Sequence, residues 1–304
     1  MSEKLDIAEV KKHLEQYLIG EPVFIKSRSR LRYKWNEKKK HASVGLLEEF
    51  IIEEQKESDL SAHCFFCGDK LPMKIDFLYA SKQTDGKKIP NFRERMTCPK
   101  CGLNNRLRAT YHLMRELFPD FEERKIYVTE EATPFFTKLK EKNKNIIGSE
   151  YFAGDARKKI LIEGLNREVN NEDITKLSFN NGEFDLVISC EVLEHIPDYK
   201  KALEEIYRVL KKDGYFIFSV PFISSSKKTI TRAKIVDGKT EHILPAEYHG
   251  DPVNADGGCL CFYYFGWDLF KELKKTGFQE SGIYAYNSPK HAYLGEGLIL
   301  FAKK

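Results

Sequence analysis

The pattern of apolar and polar positions is clearest between residues 183 and 222. A mostly apolar run at 184–189 is too short for a helix and rich in branched residues, as in a buried strand. Between residues 199 and 210, apolar positions recur every three or four residues, which predicts an amphipathic helix with Asp198 as its N-cap. A second apolar strand is predicted at 215–220. Strand, helix and strand in this order indicate a βαβ unit of a parallel sheet.

Weaker patterns along the chain predict further elements of an α/β protein. The predicted helices cover about residues 4–18, 46–52, 133–140 and 266–276, and the predicted strands cover about 125–129, 145–149, 167–169, 279–286 and 294–302. Gly214, after two lysines, is expected to end its helix in a left-handed C-cap. Three domains are predicted: a helical and basic segment at 1–57, a cysteine-rich module at 58–110, and an α/β domain at 111–304. Residues 222–262 lack a clear period and predict a long insertion on the substrate side.

Composition narrows the class of protein. The 304 residues are 41% hydrophobic and 32% charged, as in a soluble globular protein, and the net charge is +4. The sequence shows neither a membrane span nor a secretory signal, so a cytoplasmic location is expected. Residues 26–40 are strongly basic with interleaved aromatics, a pattern that can bind nucleic acid, although a solvated arm is the favoured interpretation because the rest of the chain is charge-balanced.

Four of the seven cysteines form two C-x-x-C-G motifs. Cys64 and Cys67 make the first motif, and Cys98 and Cys101 make the second. Each turn lets two thiolates reach one metal ion, and four sulfurs close a tetrahedral site without leaving a position for water. The spacing therefore predicts a structural Zn²⁺ in a zinc ribbon, with free thiols or a redox pair as the alternatives.

The central segment also resembles a known family. The stretches FDLVIS, VLEHIPD and ALEEIYRVLKKDGYFIFSVP resemble strands four and five of the class I S-adenosylmethionine-dependent methyltransferases of the type 11-like group. The blocks IYVTEEATPFF, IIGSEYF and LPAEYHGDPV resemble one bacterial branch of that superfamily, over about residues 60–304. The resemblance implies a Rossmann-like seven-stranded sheet with helices on both faces and S-adenosyl-L-methionine as cofactor. It also implies methyl transfer to a hydroxyl or amine of a small molecule, such as a sugar or a surface-polysaccharide precursor.

One departure from the family concerns the turn after the first strand of the α/β domain. The family carries a glycine-rich D-x-G-x-G turn there, whereas this chain has Val-Thr-Glu-Glu-Ala-Thr at 128–133, so an altered cofactor pocket is expected. The resemblance implies that Glu150 accepts from the ribose hydroxyls, and that Asp173 and Ile174 contact the adenine. The full set of expected cofactor contacts is Thr129, Glu130, Glu150, Asp173, Ile174, Cys190 and Glu191.

The acceptor side is expected in the insertion. His249 is the predicted general base because an imidazole titrates near neutrality, with Asp251 to orient it and Tyr248 beside it. The alternative is a loop histidine that bonds to backbone. Two other functions remain open: an RNA methyltransferase that uses the zinc ribbon and the basic segment, and a non-catalytic nucleoside-binding or scaffold domain.

Overall fold

The computed structural model describes residues 22–37, 42–152, 159–162, 167–250 and 257–304. The helix predicted at residues 4–18 lies outside these ranges. The α-helices are α1 (Arg30–Glu37), α2 (Ala42–Glu54), α3 (Asn105–Leu117), α4 (Pro134–Lys142), α5 (Tyr199–Val209) and α6 (Leu269–Thr276). The strands are β1 (Phe24–Ser27), β2 (Ser58–Cys64), β3 (Asp69–Ile75), β4 (Ser81–Lys82), β5 (Lys88–Ile89), β6 (Ile126–Val128), β7 (Ile146–Gly148), β8 (Lys159–Ile162), β9 (Arg167–Asn170), β10 (Phe184–Cys190), β11 (Leu210–Ser219), β12 (Ile230–Thr231), β13 (Ala233–Val236), β14 (Lys239–His242), β15 (Tyr248–His249), β16 (Cys259–Leu260), β17 (Tyr263–Tyr264), β18 (Glu280–Ser288) and β19 (Tyr293–Lys303).

Seven strands form the main sheet, in the order β1-β18-β19-β11-β10-β6-β7. Strand β10 pairs in parallel with β6 and β11, and β7 pairs in parallel with β6. Strand β19 is antiparallel to β11, so the sheet is mixed. The predicted seven-stranded α/β class is confirmed. Because β6, β7 and β10 are parallel, their carboxyl ends lie at the same edge of the sheet, where α/β proteins bind ligands.

The central βαβ unit forms for the reasons its sequence indicates. The apolar run of β10 is buried on both faces of the sheet, with Leu186, Val187 and Ile188 fully buried. Helix α5 buries one stripe, which includes Leu203. At its start the Asp198 carboxylate accepts a hydrogen bond of 3.2 Å from the backbone N–H of Lys201, which confirms the predicted N-cap.

Two sequence-based expectations fail in this part of the chain. Strand β9 pairs antiparallel with β8 in a separate two-stranded sheet and does not join the main sheet. Only an isolated parallel bridge between Glu150 and Asn171 marks the place of the expected strand. The left-handed residue after α5 is Asp213 (φ 63°), and Gly214 is not left-handed. Strand β11 already begins at Leu210, and Gly214 is needed for space instead, because a Cβ there would lie 2.9 Å from the carbonyl oxygen of Lys211.

The chain divides into two compact units. The first contains the described residues before Arg28, Leu31–Pro119 and Ile283–Ile299. Within it Arg108 is fully buried, and its guanidinium donates to the carbonyls of His291 (2.7 Å) and Met96 (3.0 Å). The second contains Arg28–Arg30, Asp120–Gly282 and Leu300–Lys304. The domain boundaries expected from the sequence stay predictions.

The predicted insertion contains short antiparallel strand pairs in its described part. These pairs join β13 to β14, β15 to β16, and β12 to β17. The backbone N–H of Phe262 donates to the Glu194 carbonyl at 2.7 Å, so this segment is anchored beside the end of β10. Among the helices described, none is both long and apolar enough to span a membrane.

Candidate active site and four-cysteine cluster

A cavity of about 640 Å³ lies in the second unit, at the carboxyl ends of β6, β7 and β10. It is lined by every residue that the sequence suggested for the cofactor: Thr129, Glu130, Glu150, Asp173, Ile174, Cys190 and Glu191. The cavity is also lined by residues that sequence reasoning had not assigned to the cofactor, among them Tyr127, Ser149, Tyr151, Glu172, His195 and Leu260. The size falls within the range of small-molecule and cofactor sites, which is roughly 300–1,000 Å³.

Hydroxyl groups from neighbouring strands form the polar floor of this cavity. The Thr129 hydroxyl donates to Ser189 Oγ at 3.0 Å, just past the paired residues of β6 and β10. The Tyr127 hydroxyl and Ser149 Oγ are 2.7 Å apart, and burial raises the pKa of Tyr127 well above its ordinary value. These contacts fix the rotamers of side chains at the strand ends.

The glycine-free turn after β6 is held by the next strand. Glu150 Oε1 accepts hydrogen bonds from the backbone N–H groups of Glu131 (2.7 Å) and Ala132 (2.5 Å). A glycine is required elsewhere: at Gly148, a Cβ would lie 2.4 Å from Phe136 Cε2 and 2.8 Å from the Glu130 carbonyl oxygen. The turn therefore packs tightly against β7 without a glycine of its own.

Asp173 and Ile174 form a second wall. The Asp173 Oδ1 atom accepts from the backbone N–H of Thr175 (2.8 Å) and from its hydroxyl (2.7 Å), which orients the carboxylate. Ile174 is 6% exposed and presents an apolar surface to the cavity. Oxygen Oδ2 of Asp173 is then the one available for a ligand donor.

Glu191 adopts a backbone conformation that is uncommon for its residue type. Its φ is 56°, in the left-handed region, and its N–H donates to the Ser219 carbonyl at 2.9 Å. Residues held in this region by their surroundings cluster at ligand sites. After this turn the chain that follows β10 runs along the cavity. Glu191 and His195 both line the cavity.

A buried carboxylate and two imidazoles meet beside the cavity. Glu194 is 0% exposed, and its Oε1 lies 3.6 Å from His195 Nε2 and 3.7 Å from His249 Nδ1. The two imidazole rings are 5.0 Å apart and nearly perpendicular. Burial raises the pKa of Glu194 to about 7, while Glu194 and then Glu247 raise the pKa of His249 above its ordinary value. The sequence-based expectations above give neither Glu194 nor His195 a functional role.

His249 is held on its other side by Glu247. Its Nε2 lies 3.1 Å from Glu247 Oε1, and Arg232 pairs with the same carboxylate at 3.0 Å. The Tyr264 hydroxyl also donates to Glu247, and this hydrogen bond is the main cause of the lowered pKa of that carboxyl group. Tyr248 is 58% exposed, and Asp251 lies outside the described residues. Neither Tyr248 nor the ring of His249 is part of the cavity lining.

The four cysteines of the two C-x-x-C-G motifs come together in the first unit. Their sulfur atoms all lie within 4.8 Å of one another. The Cys64–Cys101 and Cys67–Cys98 sulfur distances are 3.9 and 3.8 Å. A tetrahedral zinc with Zn–S bonds of about 2.3 Å places its sulfurs roughly 3.8 Å apart, so the donor set and its spacing fit this ion.

The two cysteine turns have the same backbone. The N–H of Gly68 donates to the Cys64 carbonyl, and that of Gly102 donates to the Cys98 carbonyl, both at 2.9 Å. The φ angles of these glycines are 77° and 74°, which explains the glycine in each motif. None of the seven cysteines, all of them described, is in a disulfide.

Comparison with known proteins finds a family match in one segment of the chain. A family model described as "Methyltransferase domain" matches residues 134–218, which include α4, β10, α5 and most of β11. This segment is therefore similar to the methyltransferase domain family. Demethylmenaquinone methyltransferases of two Bacteroides fragilis strains are 35% identical over 71 residues. That match covers 23% of this chain and only 29% of each relative.

Two solved methyltransferases are among the structures to which the chain is similar. An S-adenosylmethionine-dependent methyltransferase from Mesorhizobium loti is 15% identical, with 64% of this chain and 98% of that chain covered and a TM-score of 0.41. The 1,6-didemethyltoxoflavin-N1-methyltransferase of Burkholderia thailandensis, solved with S-adenosylhomocysteine and its acceptor, is also 15% identical. It covers 65% of this chain and 77% of that chain, with a TM-score of 0.38.

Proposed function

We propose that this chain transfers the methyl group of S-adenosylmethionine to a nucleophilic oxygen or nitrogen of a small molecule. The main support for this proposal is the cavity at the carboxyl ends of β6, β7 and β10. Glu150, Asp173 and Ile174 all line this cavity. The match of residues 134–218 to the methyltransferase domain family supports the cofactor class, and the cavity volume of about 640 Å³ accommodates a nucleoside with room for an acceptor.

The cofactor contacts are proposed residue by residue. Glu150 is proposed to accept from the ribose hydroxyls and Asp173, through Oδ2, from the adenine amino group, with Ile174 against the ring. Thr129, Glu130, Cys190 and Glu191 complete the set. The donors on Glu150 Oε1 and Asp173 Oδ1 fix both carboxylates before the cofactor arrives, which lowers the entropy cost of binding.

Bound S-adenosylmethionine would supply a sulfonium carbon that is open to in-line attack. The acceptor forms its new bond to the methyl carbon as the bond to sulfur breaks, the sulfur keeps the electron pair, and the acceptor loses one proton. The protein's part is position and charge. Buried Thr129 and half-buried Cys190, at the ends of paired strands, hold the floor of the site rigid.

The acceptor is proposed to bind against the insertion. Gly250, Cys259, Leu260 and Phe262 line the cavity from this side, together with His195. Two apolar side chains in this wall suit a small organic acceptor. The net charge of +4 over 304 residues does not favour a polyanionic substrate. The predicted base, His249, stays a proposal; its two ring nitrogens face Glu247 and Glu194.

A structural zinc in the four-cysteine cluster is part of the same proposal. Cys64, Cys67, Cys98 and Cys101 would hold the ion, and the zinc would stabilise the fold of the β2–β3 hairpin and the second cysteine turn. Four sulfur ligands leave no coordination position for a substrate, so no catalytic role is assigned to this metal.

Calorimetric titration with S-adenosylmethionine and S-adenosylhomocysteine tests the proposal. We expect one binding site for each compound, and we expect Asp173→Ala to weaken both by about 1–3 kcal/mol because a buried polar partner is left unpaired. Glu204→Gln is the matched control, since this carboxylate lies exposed on α5. If the wild-type protein gives no signal with either compound, the chain is a scaffold domain and the proposal is wrong.

A further inference from the structure

We propose that Glu194, His195 and His249 bind one divalent cation at the wall of the cavity. The three side chains come from the segment after β10 and from the insertion, 54 residues apart in sequence between His195 and His249. The methyl-transfer scheme above proposes His249 as a base but gives Glu194 and His195 no role. Their chemistry, one carboxylate oxygen and two imidazole nitrogens, is that of a metal site.

The distances fit a cation. One ligand atom from each side chain lies within 4.8 Å of the other two, and the two separations from Glu194 Oε1 are 3.6 and 3.7 Å. A cation with bonds of about 2.1 Å needs its ligand atoms roughly 3.0–4.3 Å apart, depending on whether they are neighbours or opposite. Small side-chain shifts therefore suffice to bring all three atoms into contact with one ion.

The deep burial of the carboxylate is a second observation in favour of a cation. Glu194 is 0% exposed, and neither Oε1 nor Oε2 has a hydrogen-bond partner among the described residues. A buried carboxylate without a compensating charge or hydrogen bond is costly, and native structures usually satisfy such groups. A divalent cation between Glu194 and the two imidazoles would compensate it.

Both imidazoles are oriented as metal ligands are. The His195 Nδ1 atom lies 2.9 Å from the Leu260 carbonyl, which can only accept, so Nδ1 carries the hydrogen and Nε2 keeps a lone pair toward Glu194. In the same way, His249 Nε2 donates to Glu247 at 3.1 Å, which leaves Nδ1 toward Glu194. A carbonyl or carboxylate behind the ring fixes the tautomer of metal-binding histidines in many sites.

The donor set selects among metals. Two nitrogens and one oxygen suit Mn²⁺, Fe²⁺ or Zn²⁺ better than Ca²⁺, which prefers six to eight oxygens. Three protein ligands also leave coordination positions open. Because His195 lines the cavity, those positions can face an oxygen of the acceptor. This acceptor role rests on the proposed function, whereas cation binding itself does not.

The test is titration with Mn²⁺ of protein that carries one equivalent of zinc and has been dialysed free of excess zinc, followed by electron paramagnetic resonance of the free ion. One equivalent of zinc is expected in the cysteine cluster, whose four thiolates favour zinc and whose soft sulfurs do not compete for Mn²⁺, so the candidate site stays available. We expect one bound Mn²⁺ per wild-type chain, and at least tenfold weaker binding for Glu194→Gln and for His249→Asn. His242→Asn, an exposed histidine of the same insertion, is the matched control and should bind as the wild type does.

Two outcomes would overturn the cation site. One is a wild-type protein that binds no Mn²⁺, in which case the cluster is a proton-sharing network. The other is Mn²⁺ binding that is unchanged in both Glu194→Gln and His249→Asn. His249 is less buried than Glu194, so its variant tests the site even if Glu194→Gln folds poorly. Titration with S-adenosylhomocysteine without added cation, on the same samples, separates failure of this site from failure of the proposed function.

Discussion

The carboxylate of Glu150 accepts a hydrogen bond of 2.7 Å from the backbone N–H of Glu131. In this way a side chain just after β7 fixes the turn after β6, which contains no glycine. Oxygen Oε1 accepts from two backbone N–H groups of the turn. If Glu150 accepts from the ribose hydroxyls as proposed, the hydroxyls would have to bind at Oε2 or displace the turn. The altered cofactor pocket expected from the missing glycines stays a prediction, and these hydrogen bonds give it a physical form.

Replacement of Gly148 tests how tightly that turn is packed. Gly148→Ala is expected to destabilise the protein by about 1–3 kcal/mol, because its Cβ would meet Phe136 and the Glu130 carbonyl at less than 3.0 Å. Cofactor affinity should fall as well, since the Glu130 backbone would be displaced. The measurement is denaturant unfolding together with S-adenosylhomocysteine titration.

Gly45→Ala is the matched control for this substitution. Gly45 lies within α2, and a Cβ there meets nothing within 4 Å. The control should be neutral or stabilise by up to about 1 kcal/mol, as expected for alanine in a helix. Equal stability of the two variants would show that β7 can move away from the turn at no cost.

Loss of one cysteine ligand should remove the metal from the first unit. Cys98→Ser is expected to lower the zinc content from one equivalent per chain to near zero. It should also destabilise the unit strongly, since structural zinc supplies on the order of 10 kcal/mol in peptide systems. Elemental analysis of protein purified without added metal measures the first effect, and thermal unfolding measures the second.

Cys259→Ser provides the comparison, because Cys259 lies outside the four-cysteine cluster. Its zinc content should equal that of the wild type. If the wild-type protein contains almost no zinc and Cys98→Ser folds normally, the four cysteines are free thiols and the zinc prediction is wrong.

Two buried histidines of the first unit should make its stability depend on pH. Burial lowers the pKa of His112 to about 3 and that of His291 to about 4. Both imidazoles are therefore neutral in the folded protein, whereas in the unfolded chain they take up protons near their ordinary pKa of about 6.5. This difference in pKa contributes to the free energy of unfolding. The contribution is complete above pH 6.5 and is lost progressively as the pH falls through the folded pKa values of about 4 and 3. The slope is at most about 1.4 kcal/mol per pH unit for each imidazole.

Denaturant unfolding at pH 7.5, 6.5 and 5.5 measures this slope. His112→Phe should show a shallower slope than the wild type, because one titrating group is gone while the stacking on Phe65 is kept. Both proteins retain the cysteine cluster, so any loss of zinc at low pH affects them alike. Identical slopes for the two proteins would mean that His112 is protonated in the folded state.

Local sequence patterns predicted what depends on local chemistry. The apolar stripe and the Asp198 cap of α5, the strands of the main sheet other than β1, and the two cysteine turns needed only periodicity and spacing. The features that local patterns missed depend on contacts between parts of the chain that are distant in sequence. No local pattern indicates that Arg108 is buried, since its burial depends on the carbonyls of Met96 and His291, which accept its hydrogen bonds. Gly214 followed the rule for a C-cap, but the chain enters β11 directly after α5.

The candidate site was predictable where its residues follow strands, and less so where the insertion folds back. Glu150 and Cys190 stand at the ends of parallel strands, so their convergence follows from the topology. The meeting of Glu194 with His249 depends on the insertion strands β15 and β16, which had no period in the sequence. A signal was nevertheless present: a glutamate within the apolar segment Val-Leu-Glu-His is unusual unless it has a partner.

His249 is the residue at which the proposed acceptor chemistry can be tested directly. His249→Ala is expected to lower methyl transfer from labelled S-adenosylmethionine into a low-molecular-weight cell extract by roughly 10²- to 10⁴-fold, the usual range for a group that assists proton loss. Affinity for S-adenosylhomocysteine should stay within about twofold, because the walls formed by Glu150 and Asp173 are untouched. A variant that keeps full turnover, or that loses only cofactor binding, would make His249 a structural residue of the insertion.

The same position distinguishes a base from a cation ligand. A base takes the proton itself, so added metal cannot replace it. A ligand only holds the ion, and the loss of one ligand of three weakens binding without removing the other two. If His249 acts as a cation ligand, a high Mn²⁺ concentration should restore part of the turnover of His249→Asn. The double variant Glu194→Gln/His249→Asn keeps only one of the three ligands, so Mn²⁺ should restore none of its turnover. Turnover that does not respond to Mn²⁺ in His249→Asn would assign the proton to His249, with Glu194 and Glu247 as the carboxylates that stabilise its charged form.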